Sequence, residues 1–177
     1  MRITGGYLKG RRIRVPNGEI RPAMDRMRES VFAVLVDLSG LSFLDLFSGS
    51  GIIALEAVSR GADYVEAVEI DPAKRRTLLE NVQISPIRIH CRFVPAELYI
   101  KRAKRCFDMV FCDPPFPYQH RYELIEAIYS SRLLTENSLI ILHRPREEKL
   151  MQNDRLAKED YREYGRSVVD FYRFKKS

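Results

Sequence analysis

The sequence predicts an α/β fold with a mixed sheet, mostly parallel and finished by an antiparallel edge. Three observations carry this. From residue 42 onward, short apolar runs alternate with stretches of helical periodicity. Strands alternating with helices imply right-handed crossovers and a parallel sheet covered on both faces. The first apolar run ends in a glycine-rich turn, Gly49-Ser50-Gly51, as strand-to-helix turns in such sheets do. Two strand-like segments near the C-terminus flank Gly165-Arg166, the spacing of a hairpin. The 177 residues show no repeat or linker, so residues 1–177 read as one domain, a basic extension over 1–40 and a core over 41–177.

Residues 2–15 carry Gly5-Gly6, Gly10 and an alternating Arg12-Ile13-Arg14-Val15, which predicts a small β-hairpin with one basic face. Met24, Met27, Val31, Leu35 and Leu38 then recur every three or four residues, an amphipathic helix with Arg26 and Arg28 near its start. Strands are expected over 43–47, 64–70, 87–93, 107–112 and 139–143, and helices near 51–60, 72–83, 96–104 and 121–131. Segments 161–164 and 167–174 complete the sheet as the hairpin.

Composition narrows the function classes. With 31% charged and 45% hydrophobic residues the chain is globular rather than disordered. No apolar stretch approaches the roughly 18 residues of a membrane span, and the polar, basic N-terminus lacks a signal core; a soluble, cytoplasmic protein is expected. Cys91, Cys106 and Cys112 are odd in number and lack metal-ligand spacing, so neither a disulfide framework nor a metal site is expected. The net charge is +6, and residues 1–28 supply all of it through eight cations against Glu19 and Asp25. A basic end on a near-neutral body suggests an arm that binds a polyanion.

Open α/β sheets bind ligands beyond the carboxyl ends of their strands, so each strand exit is a candidate. The first is Asp45-Leu46-Phe47-Ser48-Gly49-Ser50-Gly51, whose glycines permit close backbone approach to a ligand; read on to Ala54 it also fits the dinucleotide pattern GxGxxA. The second is Glu69-Ile70-Asp71-Pro72. An acid about 20 residues past the glycines suits the hydroxyls of a ribose, and Glu69 is that candidate, whereas Asp71 before Pro72 reads as a helix N-cap. The third, Val94-Pro95-Ala96-Glu97, either lines an adenine pocket or places Glu97 at the positive end of a helix.

The fourth exit, Asp113-Pro114-Pro115-Phe116, is the most chemically specific. Two prolines stiffen the loop and remove its N–H donors, leaving carbonyls beside a carboxylate. Such a rim of acceptors suits an –NH2 group, which donates twice, and Phe116 can stack on the ring that bears it, with Tyr118 closing the pocket. An aromatic amine is a weak nucleophile because its lone pair spreads into the ring. Acceptors that hold both hydrogens favour a pyramidal nitrogen, free the lone pair for attack on a sulfonium methyl, and stabilise the positive charge that develops.

Together the glycine loop, Glu69-Ile70-Asp71 and Asp113-Pro114-Pro115-Phe116 resemble the class I S-adenosylmethionine-dependent methyltransferases, in their amine-methylating branch. Arg2-Ile3-Thr4-Gly5-Gly6, Lys9-Gly10-Arg11 and the run from Arg21 to Glu29 further resemble the RsmD family, which methylates guanine N2 in bacterial 16S ribosomal RNA. The resemblance implies a Rossmann-like sheet of seven strands. It implies that S-adenosylmethionine lies on Asp45, Phe47, Gly49, Gly51, Glu69, Ile70, Ala96 and Glu97 and leaves as S-adenosylhomocysteine. It implies a target guanine held by Asp113, Pro114, Pro115 and Phe116, and RNA gripped by Arg11, Arg12, Arg21, Arg26 and Arg28. The partner it implies is 16S ribosomal RNA within the small ribosomal subunit or an assembly intermediate, met by a monomer with no membrane association. Ala23 and Met24 replace two threonines common in the family, Pro95 replaces a polar residue that reads adenine, and His143 replaces an acid and is expected to be structural. Rival readings are an adenine-N6, cytosine-N4 or amide methyltransferase on the same fold, a nicotinamide-dependent oxidoreductase, and a non-catalytic RNA-binding assembly factor.

Overall fold

The computed structural model describes the side chains of residues 1–15, 25–148, 154 and 156–175, and the backbone of 22–24 besides. In chain order the elements are α1 (Pro22–Leu35), β1 (Ser42–Asp45), α2 (Ile52–Ser59), β2 (Tyr64–Val68), α3 (Pro72–Asn81), β3 (Ile89–Arg92), α4 (Ala96–Arg102), β4 (Phe107–Cys112), α5 (Arg121–Ser130), β5 (Leu134–Pro145), β6 (Leu156–Tyr164) and β7 (Ser167–Phe174). The seven strands run in the order β3-β2-β1-β4-β5-β7-β6. The five strands from β3 to β5 are parallel, and β7 pairs antiparallel with both β5 and β6. This is the mixed sheet that the sequence predicts. Its order reverses between β1 and β4, the switch point where a crevice opens.

Strand periodicity divides the core in two. Phe43, Val65, Ala67, Phe111 and Ile141 face one side, packed with the N-terminal segment, α1, α2 and α3. Leu44, Val68, Val110, Ile140 and Leu142 face the other, packed with α4 and α5. Neighbouring residues of one strand therefore serve opposite cores, which is why the strands read as unbroken apolar runs. Two strands are longer than the sequence predicts. β5 begins at Leu134 because Ser138 Oγ donates to the Phe107 carbonyl (2.7 Å) and holds the polar segment before it against β4. β6 begins at Leu156 although it is dense in charge, as an exposed edge strand commonly is.

The N-terminal hairpin is present in minimal form, as an antiparallel bridge between Arg2 and Arg12. It is docked rather than free. Ile3, Leu8 and Ile13 are buried in the core shared with α2. Thr4 N donates to Glu56 Oε1 (2.8 Å) and Leu8 N to Ser59 Oγ (2.9 Å). Among the described residues no helix is long and apolar enough to cross a membrane.

Candidate active site

The exits of β1, β2 and β4, with the end of β5, converge at one edge of the sheet. At the β1 exit the ladder continues past the strand: Leu46 N donates to the Phe111 carbonyl (3.0 Å) and Ser48 N to the Val68 carbonyl (2.9 Å). These bonds tie the glycine loop to both neighbours of β1. Gly49 has φ +55°, and a Cβ there would meet nothing, so its backbone faces open space. Gly51 has φ +83°, and a Cβ would strike Leu78 at 2.6 Å, so this turn both needs the left-handed region and packs tightly on α3. Asn81, which sequence reasoning missed, is buried and braces the loop from below: its Nδ2 donates to the carbonyls of Ser50 and Arg14 (2.8 Å each) and its Oδ1 accepts from Arg14 N.

Asp45 lies beneath this loop, fully buried, and accepts from Ser48 Oγ at 2.7 Å. Its Oδ1 lacks a partner of normal geometry, although the Ala54 N–H lies near enough to favour the charged form. Burial chiefly, with the negative charges of Asp113 and Glu69, pushes the carboxyl up to about 7. The expectation that Asp45 contacts a ligand is corrected to one of support: it shapes the loop through Ser48 and contributes charge from below.

Glu69 accepts from Gly49 N through Oε2 and from Asp71 N through Oε1, both at 2.7 Å. Each oxygen keeps a lone pair, so the carboxylate is rigid and can still accept from two hydroxyls. Ile70, beside it, is an exposed apolar surface. Asp71 caps α3 by accepting from Ala73 N (2.9 Å), as the sequence predicts. Ala96 is buried at the start of α4. Glu97 is exposed and accepts from Tyr118 Oη. Burial and this acidic partner raise the phenol well above its usual range. Phe47 meets Tyr118 edge-on with centroids 5.9 Å apart, so the β1 and β4 loops touch.

The Asp113–Phe116 loop is held by a residue the sequence did not flag. Arg121, at the start of α5 and buried, donates to the carbonyls of Pro115 (2.8 Å), Phe116 (3.1 Å) and Tyr118 (2.7 Å), and pairs with Glu148 (2.7 Å). The expectation that all the loop's carbonyls lack internal donors is thus corrected: those of Pro115 and Phe116 are taken, while that of Pro114 accepts from no described residue. Asp113 Oδ1 lies 2.7 Å from His143 Nδ1, and Oδ2 accepts from no described residue. The site therefore keeps two free acceptors side by side in sequence, Asp113 Oδ2 and the Pro114 carbonyl, with the half-exposed Phe116 ring next to them.

The cationic residues expected to grip RNA separate. Arg11, Arg12 and Arg26 are exposed, and Arg21 lies outside the described residues. Arg28 is buried: its guanidinium donates to Glu56 Oε1, Asp25 Oδ1 and the Arg2 carbonyl, each at 2.9 Å. Every face of the fork is committed internally, so the expectation of RNA contact is corrected. Arg28 and Arg60 share the fully buried Glu56 and clamp α1 and the N-terminal segment to α2.

Comparison with known proteins places this geometry. The family model described as Conserved hypothetical protein 95 matches residues 1–173. The chain is 32% identical over 172 residues to the Ribosomal RNA small subunit methyltransferase D of Haemophilus influenzae, covering 90% of this chain and 87% of that one. It is 33% identical over 147 residues to the protein of the same name from Escherichia coli K12, covering 79% of this chain and 72% of that one. The solved structure of yhhF from Escherichia coli superposes with a TM-score of 0.89 at 27% identity, covering 100% of this chain and 99% of that one.

Proposed function

The chain belongs to the family described as Conserved hypothetical protein 95, and from that premise we propose that it is an S-adenosylmethionine-dependent methyltransferase acting on the N2 amine of a guanine in small-subunit (16S) ribosomal RNA. One observation carries the chemistry. In a loop whose Pro115 and Phe116 carbonyls are taken up by Arg121, Asp113 Oδ2 and the Pro114 carbonyl accept from no described residue. Two acceptors on a stiff frame match the two hydrogens of an exocyclic amine. The relatives' names support the RNA and the reaction class, and the family resemblance supports N2 of guanine.

The residues fit the methyl donor. Asp45, Glu69 and Asp113 bring three carboxylates to one sheet edge, an electrostatic match to a cation bearing a sulfonium and an ammonium. When bound, S-adenosylmethionine supplies an electrophilic methyl group. Glu69 would hold the ribose hydroxyls, Ile70 would cover one face of the adenine, and the open backbone at Gly49 would admit the methionine portion. Asp113 and Pro114 would orient the amine and draw its hydrogens out of the ring plane, and Asp113 would take the proton released after transfer. The unstacked guanine would rest on Phe116. Arg11, Arg12 and Arg26 would meet phosphates, with the small subunit or its assembly intermediate as the partner and the chain acting as a cytoplasmic monomer.

The test is Asp113→Ala, assayed on unmethylated small subunits with labelled S-adenosylmethionine. Transfer should fall by at least about 100-fold, while calorimetry finds S-adenosylhomocysteine bound as tightly as by the parent. Turnover near the parent rate would remove Asp113 from its assigned role.

A further inference from the structure

Among the described residues, His143 is the imidazole that touches Asp113. It lies on β5 one residue past the rung that pairs Cys112 with Leu142, so it stands beside the first residue of the Asp113–Phe116 loop. On its other side it pairs with Val169 of β7, which fixes its backbone at that neighbour. The side chain is 5% exposed. Nδ1 lies 2.7 Å from Asp113 Oδ1, the Phe116 ring lies 5.6 Å away centroid to centroid, and Nε2 is buried without a partner. The contact itself decides the tautomer. An ionised carboxylate only accepts, so the nitrogen that faces it must be the donor. The proton therefore sits on Nδ1 and is donated to Asp113.

We propose that His143 is a positioning residue for methyl transfer: by pinning Oδ1 it stops the Asp113 carboxylate from rotating and commits Oδ2 to the incoming amine. This rests on the methyl-transfer reading above. A free carboxylate turning about its Cβ–Cγ bond would offer either oxygen at a range of angles. A misplacement on the order of 1 Å costs about 100-fold in rate. The His143 ring also meets the Phe116 ring, on which the base would lie.

Three substitutions separate positioning from packing. His143→Phe keeps a ring against Phe116 and removes the donor. His143→Asn places an amide nitrogen near the position of Nδ1, and His143→Gln places one near that of Nε2. Each variant is assayed with unmethylated small subunits, beside a melting curve and S-adenosylhomocysteine calorimetry. The Phe variant should lose about 10- to 100-fold in kcat with KM for both substrates nearly unchanged. Asn should recover most of that loss, and Gln should resemble Phe. A Phe variant with parental kcat, or Asn and Gln variants that behave alike, overturns the proposal. If Asp113→Ala in the same assay retains turnover, the reading of Asp113 fails as well; if it is inactive while His143→Phe is not, only the role of His143 falls.

The opposite end of the sheet carries an independent feature. Lys101 and Arg102 close α4, Lys104 follows it, and Arg132 precedes β5. All four are exposed, and among the described residues none is paired with an acid. Lys101, Arg102 and Arg132 line one cleft, which Glu97 reaches from the other end of α4, and Lys104 lines a second with Arg105 and Asp108 beside the starts of β1 and β4. Lys101 and Arg102 offset the helix dipole of α4, but that accounts for neither Lys104 nor Arg132. Strands of four to six residues put this pole roughly 15–20 Å from the proposed site. We infer that it contacts a second segment of RNA phosphate backbone, so that the domain bridges two parts of a folded RNA.

The test reverses all four charges, as K101E/R102E/K104E/R132E. Affinity for unmethylated small subunits is measured against potassium chloride concentration. The slope of log affinity against log salt should become shallower by close to one for each phosphate that the variant no longer neutralises, with S-adenosylhomocysteine affinity unchanged. An unaltered slope overturns the inference and leaves a solvated face. Weakened binding to intact subunits with unchanged binding to protein-free 16S RNA also overturns it, in favour of an acidic protein surface.

Discussion

At Asp45, burial and two neighbouring carboxylates oppose ionisation, so the proton is lost only near pH 7. A carboxyl raised in the folded state contributes stability that is fully present below its unfolded value, near pH 4, and is lost as pH rises through the folded value. The ligand-free protein should therefore lose stability on the order of 4 kcal/mol from this group between about pH 4 and pH 7. In Asp45→Asn that slope should largely vanish, as urea denaturation at a series of pH values can show; an unchanged slope would assign the titration elsewhere. The same raised value predicts proton release when a cationic ligand binds at pH 7. Calorimetry of S-adenosylmethionine binding in buffers of different ionisation enthalpy reads this directly, and no buffer dependence would contradict it. Residues at strand exits were legible because the fold class fixes where strands end: Glu69 and Asp113 are found where the sequence puts them. Asn81 and Arg121 were not, and His143 was noticed at its strand end without its partner. Their roles depend on partners brought together by tertiary packing, such as the 30 residues that separate Asp113 from His143, and no local pattern announces them.

Between elements, two buried arginines do the joining. Arg121 ties the start of α5 to three carbonyls after β4. Arg121→Met should release those carbonyls and loosen the loop, lowering kcat by more than 10-fold while S-adenosylhomocysteine affinity stays within about twofold; equal losses in both would show a general collapse instead. Arg28 joins α1 and the N-terminal segment to Glu56 of α2. Arg28→Ala leaves a buried carboxylate short of a partner and should cost about 3 kcal/mol of stability, seen as a lower melting temperature. Its RNA affinity, measured below that temperature, should stay unchanged, and a selective loss of affinity would restore Arg28 to the RNA surface. Most elements were legible through apolar runs, as β4 and β7 show by matching their expected spans. The early part of β5 was not, because Thr135, Glu136 and Asn137 are polar and bulge between the rungs at Leu134 and Leu139, where Ser138 holds them to the Phe107 carbonyl. The charged start of β6 was hidden for the opposite reason: an edge strand has no apolar face to show.

Across the whole molecule, charge and chemistry are distributed by the sheet. The carboxylates collect at the strand exits, where a cationic donor would sit, and cations lie on the surfaces around them and at the far pole. The net charge of the first 28 residues suggests a basic arm, but Ile3, Leu8 and Ile13 bury the described part of it, residues 1–15, against the core. It therefore presents Arg11 and Arg12 from a fixed platform, and on the proposed function this would set the orientation of RNA relative to Asp113 before encounter. Chain-wide charge totals could not reveal this, since they report how many cations there are and not which of them the core holds in place.

The claim on which the account turns is that Asp113 Oδ2 and the Pro114 carbonyl clasp the exocyclic N2 amine of a guanine in RNA. Unmethylated small subunits incubated with the protein and labelled S-adenosylmethionine, digested to nucleosides and resolved by mass, test it most directly. The account predicts label in N2-methylguanosine from a single position. Label confined to a ring-carbon or ribose methyl, or to N6-methyladenosine, would contradict it.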